Sequence, residues 1–211
     1  MFQSDIFVFD DDVQYSRTGL HNSNYIRVGD QKFRIIIPCS YPHGALINQV
    51  EINYEKPWMD KLLKTVWMNY KNARYFEETF EMLERNLIVK HRFLANLNLS
   101  LLMEISRRFG LSCRIVIASR DVPTQLKKNE RNVYQCEQLG GTVYYSGTGG
   151  KEYNDEEMYE GNGIKVMYSD YKPVQYRQCK REGFIEDLSV LDYIFNQGFN
   201  LPEEWVKQRY E

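Results

Sequence analysis

After Gly110 the chain repeats one pattern, and that pattern narrows the folds open to it. Cys113-Arg114-Ile115-Val116-Ile117 reads as a buried strand, and a helix follows from about Asn129 to Leu139, closed by Gly140-Gly141. Thr142 to Tyr145 is the next strand, Gly150 to Glu160 the next helix, and Ile164 to Tyr168 a further strand. Strand, helix, strand, helix, strand argues for parallel strands joined by right-handed crossovers. Asp5-Ile6-Phe7-Val8-Phe9, rich in β-branched and aromatic residues, supplies another buried strand at the start of the chain.

Between these parts lies a different texture. Residues 10–32 form a long polar connection, and Phe33 to Ile37 is a strand stopped by Pro38. Ser40 to Gly44 is a loop, and Ile47 to Ile52 alternates like a strand with one exposed face. Pro57 opens a helix carrying Trp58, Leu62, Leu63, Val66, Trp67 and Tyr70, since proline suits a first helical position. A second helix runs from about Phe76 to Asn86. A third carries Phe93, Leu94, Leu97, Leu101, Leu102, Ile105 and Phe109 on one face and ends at Gly110. A tail helix covers about Leu188 to Phe195. No repeat or low-complexity linker interrupts the chain, so residues 1–211 are expected to form one α/β domain, Rossmann-like with a mostly parallel sheet. The helical segment 57–110 is inserted within it.

In an open α/β sheet, ligands sit outside the carboxyl ends of the strands. The loops expected there are Asp10 to Asn24, Ser119 to Thr124, Ser146 to Gly150 and Ser169 to Lys172, all polar. Asp10-Asp11-Asp12 could hold Mg²⁺ through hard oxygen ligands or provide a general base. In an extended strand, Asp10 and Asp12 share a face and Asp11 opposes them. Arg17 could pair with a carboxylate or phosphate, and His21 is a candidate acid or base. A surface turn using Asp as turn former is the structural alternative for this stretch. Ser146-Gly147-Thr148-Gly149-Gly150 joins a strand to an expected helix N-terminus, an arrangement suited to an anion, although a tight structural turn fits the same residues. It is no dinucleotide fingerprint, because Glu152 stands where a third glycine belongs, and it has no P-loop Lys-Ser/Thr ending.

Composition excludes several classes. The formal net charge of -2 and the pI near 6.0 give no field to hold nucleic acid stably, although Lys127, Lys128 and Arg131 lie close together. No apolar run approaches 18 residues and no signal-peptide pattern opens the chain, so neither membrane insertion nor export is expected and the cytoplasm is the default compartment. Cys39, Cys113, Cys136 and Cys179 show no CxxC pairing, and His21, His43 and His91 are the only histidines, so no zinc site is expected. Cys113 and Cys136 read as small core residues.

Asp11-Asp12-Val13-Gln14, the spaced Asn22 and Asn24, Leu97-Asn98 and Tyr144 to Gly147 resemble the WbqC-like family. So do Asp170-Tyr171, Tyr176, Leu188-Ser189-Val190-Leu191-Asp192, Phe195-Asn196 and Gly198, all in the family's order. The family is found in bacterial surface-polysaccharide (O-antigen) gene clusters. The resemblance therefore implies a transferase acting on a sugar-nucleotide or amino-sugar substrate, with glycine or aminoacyl transfer to an amino sugar as the suggested reaction. Under that reading Asp11, Asp12 and His21 are the catalytic candidates. Gln14, Arg17, Asn22, Asn24, Ser146, Gly147, Gly149, Gly150, Tyr153, Asp170 and Tyr171 are the candidates for substrate binding. No cofactor is required beyond Mg²⁺, should the carboxylates hold it. The alternatives are a non-catalytic binding or assembly protein of the same pathway, which the 16 tyrosines would suit, and a Mg²⁺-dependent enzyme resembling a nucleotidyltransferase.

Two departures accompany the resemblance. Members usually begin with a strand and a His-Gln-Pro-Asn-Tyr-Leu-Pro-Trp-like segment, which should end where Met1-Phe2-Gln3-Ser4 stands, so the first family strand is expected to be missing. The family's Asn-Arg-Asn is Asn22-Ser23-Asn24 here and its Ala-Pro-Tyr-Phe is Ala73-Arg74-Tyr75-Phe76, which weakens anion binding at the loop.

Overall fold

Helix α1 (Trp58–Tyr70) shows how the sequence selects its buried side. Trp58, Val66 and Tyr70 are buried at multiples of four residues, which places them on one face. Trp67, which the apolar spacing assigns to the same stripe, faces outward with Lys71 Nζ 4.3 Å from its ring. Helix α2 (Phe76–Ile88) buries Met82, Leu83 and Leu87, and α3 (Leu94–Arg108) buries Leu94, Ala95 and Leu97. At the end of α3, Gly110 has φ +68°, and the amides of Gly110 and Leu111 bond back to the carbonyls of Arg107 and Ser106. This crossed pair satisfies carbonyls that the helix end would otherwise orphan.

The computed structural model describes residues 1–179 and 182–208. Its backbone gathers into two compact units, each built from separated stretches of chain. The first comprises Met1–Gln3, Asp11–Ser112 and the chain from Pro173 on, and the second Ser4–Asp10 and Cys113–Lys172.

The first unit holds the three long helices and two small antiparallel pairs. β2 (Ser23–Val28) pairs with β3 (Gln31–Ile36), with Ile26 opposite Phe33, so part of the expected polar connection 10–32 is strand. β4 (Cys39–Ser40) pairs with β5 (Glu51–Ile52). The alternating stretch from Ile47 is therefore strand only at its end. Ile47–Gln49 is a 3₁₀ turn, and Ile47 and Val50 are both buried at a spacing of three. Helix α7 (Val190–Gln197) completes the core, which joins Ile26, Val50, Val66, Leu94 and Leu97 to the stacked rings of Tyr70 and Phe195, 4.6 Å apart. The last helix described is α8 (Glu203–Gln208).

The second unit is α/β with parallel strands. β1 (Ile6–Phe9) pairs with β6 (Arg114–Ile117), Val8 opposite Val116, and β7 (Val143–Ser146) pairs with β8 (Lys165–Tyr168). α5 (Lys128–Gln138) lies between β6 and β7 in sequence and α6 (Glu156–Gly161) between β7 and β8. The parallel pairing of β7 with β8 follows from the α6 crossover, while β1 reaches β6 across the residues of the first unit. Among the described residues, however, the four strands form two separate two-stranded ladders in place of the one sheet that the alternation suggests. Each ladder has its own small apolar cluster, one around Val116, Ala118 and Val122, the other around Val133, Tyr159 and Ile164. Residues 119–124 are not all loop, since α4 (Ala118–Asp121) occupies the first of them. Cys113 and Cys136 are half-buried, and Cys136 packs against the Val133 cluster.

Candidate functional site

In the first unit the loop leaving Asp11 is pinned to residues 45–48. The buried Asp11 accepts the Asn48 amide on its carbonyl at 2.8 Å and Asn48 Nδ2 on Oδ2 at 3.3 Å. Val13 accepts the Ile47 amide, Gln14 bridges to Leu46, and the Tyr15 amide donates to Ala45. Asp12 is half-buried, while Gln14 and Arg17 are exposed. The chain then folds tightly at Gly19, where a Cβ would stand 2.8 Å from Cδ2 of His21, so only glycine fits there without moving the imidazole. The His21 ring packs beside Tyr15, and its carbonyl accepts Asn98 Nδ2 at 2.9 Å. Asn22 clamps Ile37 with two bonds of 2.8 Å, one from its side chain and one to its carbonyl. Asn24 Oδ1 accepts the Tyr25 amide.

These residues converge on a cavity of about 280 Å³ within this unit. His21, Asn22, Asn24 and Asn98 contribute its polar lining together with Ser23 and Ser189. The rest is aliphatic, from β3, α1, α2, α3 and the start of α7. Asn98, Leu101, Leu102 and Ile105 follow the helical i, i+3, i+4, i+7 spacing, so α3 lays one stripe along the cavity. Among the described residues neither imidazole nitrogen of His21 has a hydrogen-bond partner, nor does Asn98 Oδ1. Asp11, Asp12, Gln14 and Arg17 are not part of the lining.

A buried polar network stands in the same unit. Asp192 is fully buried and accepts Tyr70 Oη at 2.6 Å and Tyr176 Oη at 2.8 Å. Burial pushes its carboxyl above the usual range against the pull of those two hydroxyls and of Arg27. Arg27, also buried, gives its guanidinium to Gln178, Asp30 and the carbonyls of Gly29, Glu182 and Gly183. Neither Arg27 nor Asp192 is a site candidate on sequence grounds. The available signal is a carboxylate inside the apolar run Val190 to Phe195, because such a group is buried only with partners.

In the second unit Asp10, at the carboxyl end of β1, accepts Arg131 Nη2 at 2.9 Å and Gln135 Nε2 at 3.0 Å. Both donors lie on α5, one turn apart. Ser146 ends β7 in a buried position; its Oγ donates to the Gly147 carbonyl at 3.2 Å and accepts Asn154 Nδ2 at 3.1 Å. The expected helix from Gly150 to Glu160 is two pieces. Thr148–Glu152 is a 3₁₀ turn, and α6 begins only at Glu156, capped by Asp155. Ser146 to Gly150 therefore does not lead into an α-helix N-terminus. The cause is local: the Gly150 amide bonds to the Gly147 carbonyl at 2.9 Å, and Asp155 competes for the start of α6. Gly147 and Gly149 face open space, whereas Gly150 packs against Ser146. Tyr153 is exposed and its carbonyl accepts Asn129 Nδ2. Asp170 pairs with Lys172 at 3.3 Å on the surface, and the amide of the exposed Tyr171 donates to Ser169 Oγ. Ser169 returns to β7 through its amide, which meets the Ser146 carbonyl at 2.8 Å.

The carboxylates do not build a metal site: among the described residues, no three His, Cys, Asp or Glu side chains are grouped to hold an ion. No helix among them is long and apolar enough to cross a membrane.

Comparison with known proteins gives a consistent picture. The chain is 30% identical to the uncharacterized protein Rv1507c of Mycobacterium tuberculosis over 204 residues, 94% of this chain and 87% of that one. No solved structure matches. The WbqC-like protein family matches residues 1–204, and the chain belongs to that family.

Proposed function

We propose that this protein is a cytoplasmic transferase of bacterial surface-polysaccharide (O-antigen) biosynthesis that forms an amide on an amino sugar. The amine nitrogen attacks the carbonyl of an activated acyl or aminoacyl donor. A C–N bond forms, the bond from the carbonyl carbon to the donor's leaving group breaks, and the amine proton passes through a base to that leaving group. His21 is the base we assign, because its imidazole lines the edge of the cavity with neither ring nitrogen engaged among the described residues, and a neutral imidazole nitrogen can accept a proton. Asp11, held by Asn48, supports the loop. Asp12 is the second candidate base. No step is routed through Mg²⁺, since among the described residues no carboxylates are grouped to hold it.

One observation supports this reading above the others. Asn22, Asn24, Asn98 and Ser189 to Leu191 are far apart in sequence, carry the family resemblance, and line a single cavity. The test is mass spectrometry of mixtures of purified protein, acyl or aminoacyl donors and nucleotide-linked amino sugars. An amide product is expected, and His21→Asn should lower its rate by ~10²–10⁴-fold, with Asp12→Asn measured in parallel. Absence of product from every donor, with no rise in melting temperature for any nucleotide sugar, would overturn the proposal.

A non-catalytic binding protein is the second reading. It is favoured by the scarcity of ionisable groups, since His21 is the only titratable side chain among those lining the cavity. Full pathway function with His21→Asn and Asp12→Asn combined would select it.

A further inference from the structure

We infer that the cavity of the first unit binds an unbranched aliphatic acyl chain whose polar end is an uncharged carbonyl. Its walls motivate the class of ligand. Apart from the polar residues already named, they are leucine, isoleucine and valine side chains, and among the described residues no phenylalanine, tyrosine or tryptophan lines the space. Nucleobases are held by aromatic faces, and sugars by many hydrogen bonds, so this lining suits neither. Folding usually buries aliphatic side chains against one another, whereas here they stand around an open-sided space of about 280 Å³ that a ligand can enter. Leu20, Ile36 and Val190 are part of the lining yet remain exposed, which marks the mouth.

The cavity also has a direction. Along α3, Asn98 stands at one end of the stripe and Ile105 at the other, about 10 Å apart at 1.5 Å per residue. Asn98 is tied to His21 through the His21 carbonyl, so the polar groups gather at the Asn98 end. Among the described residues no Lys or Arg lines the cavity. A free carboxylate would lose hydration there with no cation in the lining itself, since the Arg34 guanidinium reaches only Ser23 Oγ, at 2.8 and 3.1 Å, whereas a thioester or amide carbonyl needs only a donor. At roughly 30 Å³ per water-sized group, the space accepts about nine methylene-sized groups.

The inference rests on the acyl-transfer reading only in taking this chain to be the group transferred; the binding stands on the cavity alone. Titration calorimetry with S-acyl-N-acetylcysteamine thioesters, from acetyl to dodecanoyl, tests it directly. Affinity should rise about fourfold per added methylene and level off near nine carbons. The matching free fatty acids should bind at least tenfold more weakly. Leu102→Trp, which fills the cavity, and Ile36→Glu, which charges its exposed mouth without touching the core, should each remove the gain with chain length. A flat series, or a series unchanged in both variants, overturns the inference. Free acids binding as tightly as thioesters overturn the uncharged end. Chain-length-dependent binding with no amide product upholds this site while counting against the transfer reaction. Glycyl transfer without alkyl binding upholds the reaction and overturns this site.

Discussion

At Gly150 an added Cβ would stand 2.1 Å from Ser146 Oγ and 2.7 Å from Asn154 Nδ2, while at Gly149 it would meet nothing within 4 Å. Two neighbouring glycines thus have different reasons to be there. Gly150→Ala must rotate Ser146 away and break its bond to Asn154, so denaturant unfolding should show a loss of about 1–3 kcal/mol. Gly149→Ala should stay within about 0.5 kcal/mol of the parent. Asp192 gives a second prediction at this scale. Its folded carboxyl titrates above the ordinary 3.8, chiefly because it is buried. As pH rises past 3.8, the unfolded chain releases this proton first while the folded chain still holds it. Stability therefore falls across the window up to the raised value and stays lower above it. Asp192→Asn cannot ionise, so its unfolding midpoint plotted against pH should lack that decline when compared with the parent.

Between elements, the α2–α3 contact is fastened by Glu104. Its carboxylate accepts Asn86 Nδ2 at 2.6 Å, and Arg85 and Arg108 both pair with it. Burial alone would raise its pKa, but the Asn86 bond and the two guanidinium groups outweigh burial and hold it below the ordinary 4.5. A lowered folded value contributes stability that is present above 4.5 and lost as pH falls through the lowered one. Glu104→Gln should therefore cost roughly 1–3 kcal/mol at neutral pH, a range set by bonds to charged groups, and should flatten the acid limb of the stability profile. α3 carries a second burden, because the helix that presents Glu104 to α2 also presents Asn98, Leu101, Leu102 and Ile105 to the cavity. Loosening the α2–α3 contact is expected to weaken ligand binding as well as stability.

Across the molecule, neither compact unit is a continuous stretch of chain. β1 comes from the first ten residues and its partner β6 from beyond Arg108, so the parallel pair closes a long loop before it gains any contacts. The core of the first unit likewise draws Ile26, Leu97 and Phe195 from three distant regions. Leu97 is 1% exposed at the middle of that core. Leu97→Ala should cost about 2–5 kcal/mol in urea unfolding, from lost burial plus the space left behind. It should also enlarge or collapse the neighbouring cavity, which the chain-length series would register as a shifted plateau.

Local physics made several features legible in the sequence. The helical spacing of Trp58, Val66 and Tyr70, the glycine stop at Gly110 and the strand at Ile6–Phe9 all follow from side-chain periodicity and backbone freedom. The crossover pattern foretold parallel strands, as β7 with β8 shows, whereas the pairing of β1 with β6 brings together strands that no single crossover joins. His21, Asn22 and Asn24 were readable as one polar stretch because they lie within four residues, although Asn24 already belongs to β2. Other features depended on groups far apart in the chain. Burial of Asp192 needed hydroxyls from Tyr70 and Tyr176, and burial of Arg27 needed carbonyls from Glu182 and Gly183. The 3₁₀ turn at Thr148–Glu152, by contrast, was local: the Gly150 amide on the Gly147 carbonyl and the Asp155 cap of α6 overrode the helical pattern of that stretch. Sequence by itself determined the long helices, most strands of the second unit and the candidate polar residues, because these depend on neighbours within a turn or a strand. Tertiary structure alone decided that Asn98 and Ser189 stand beside Asn22 and Asn24, and that leucines and isoleucines wall the space between them. Such a cavity is a property of packing among distant segments, and no local pattern encodes it.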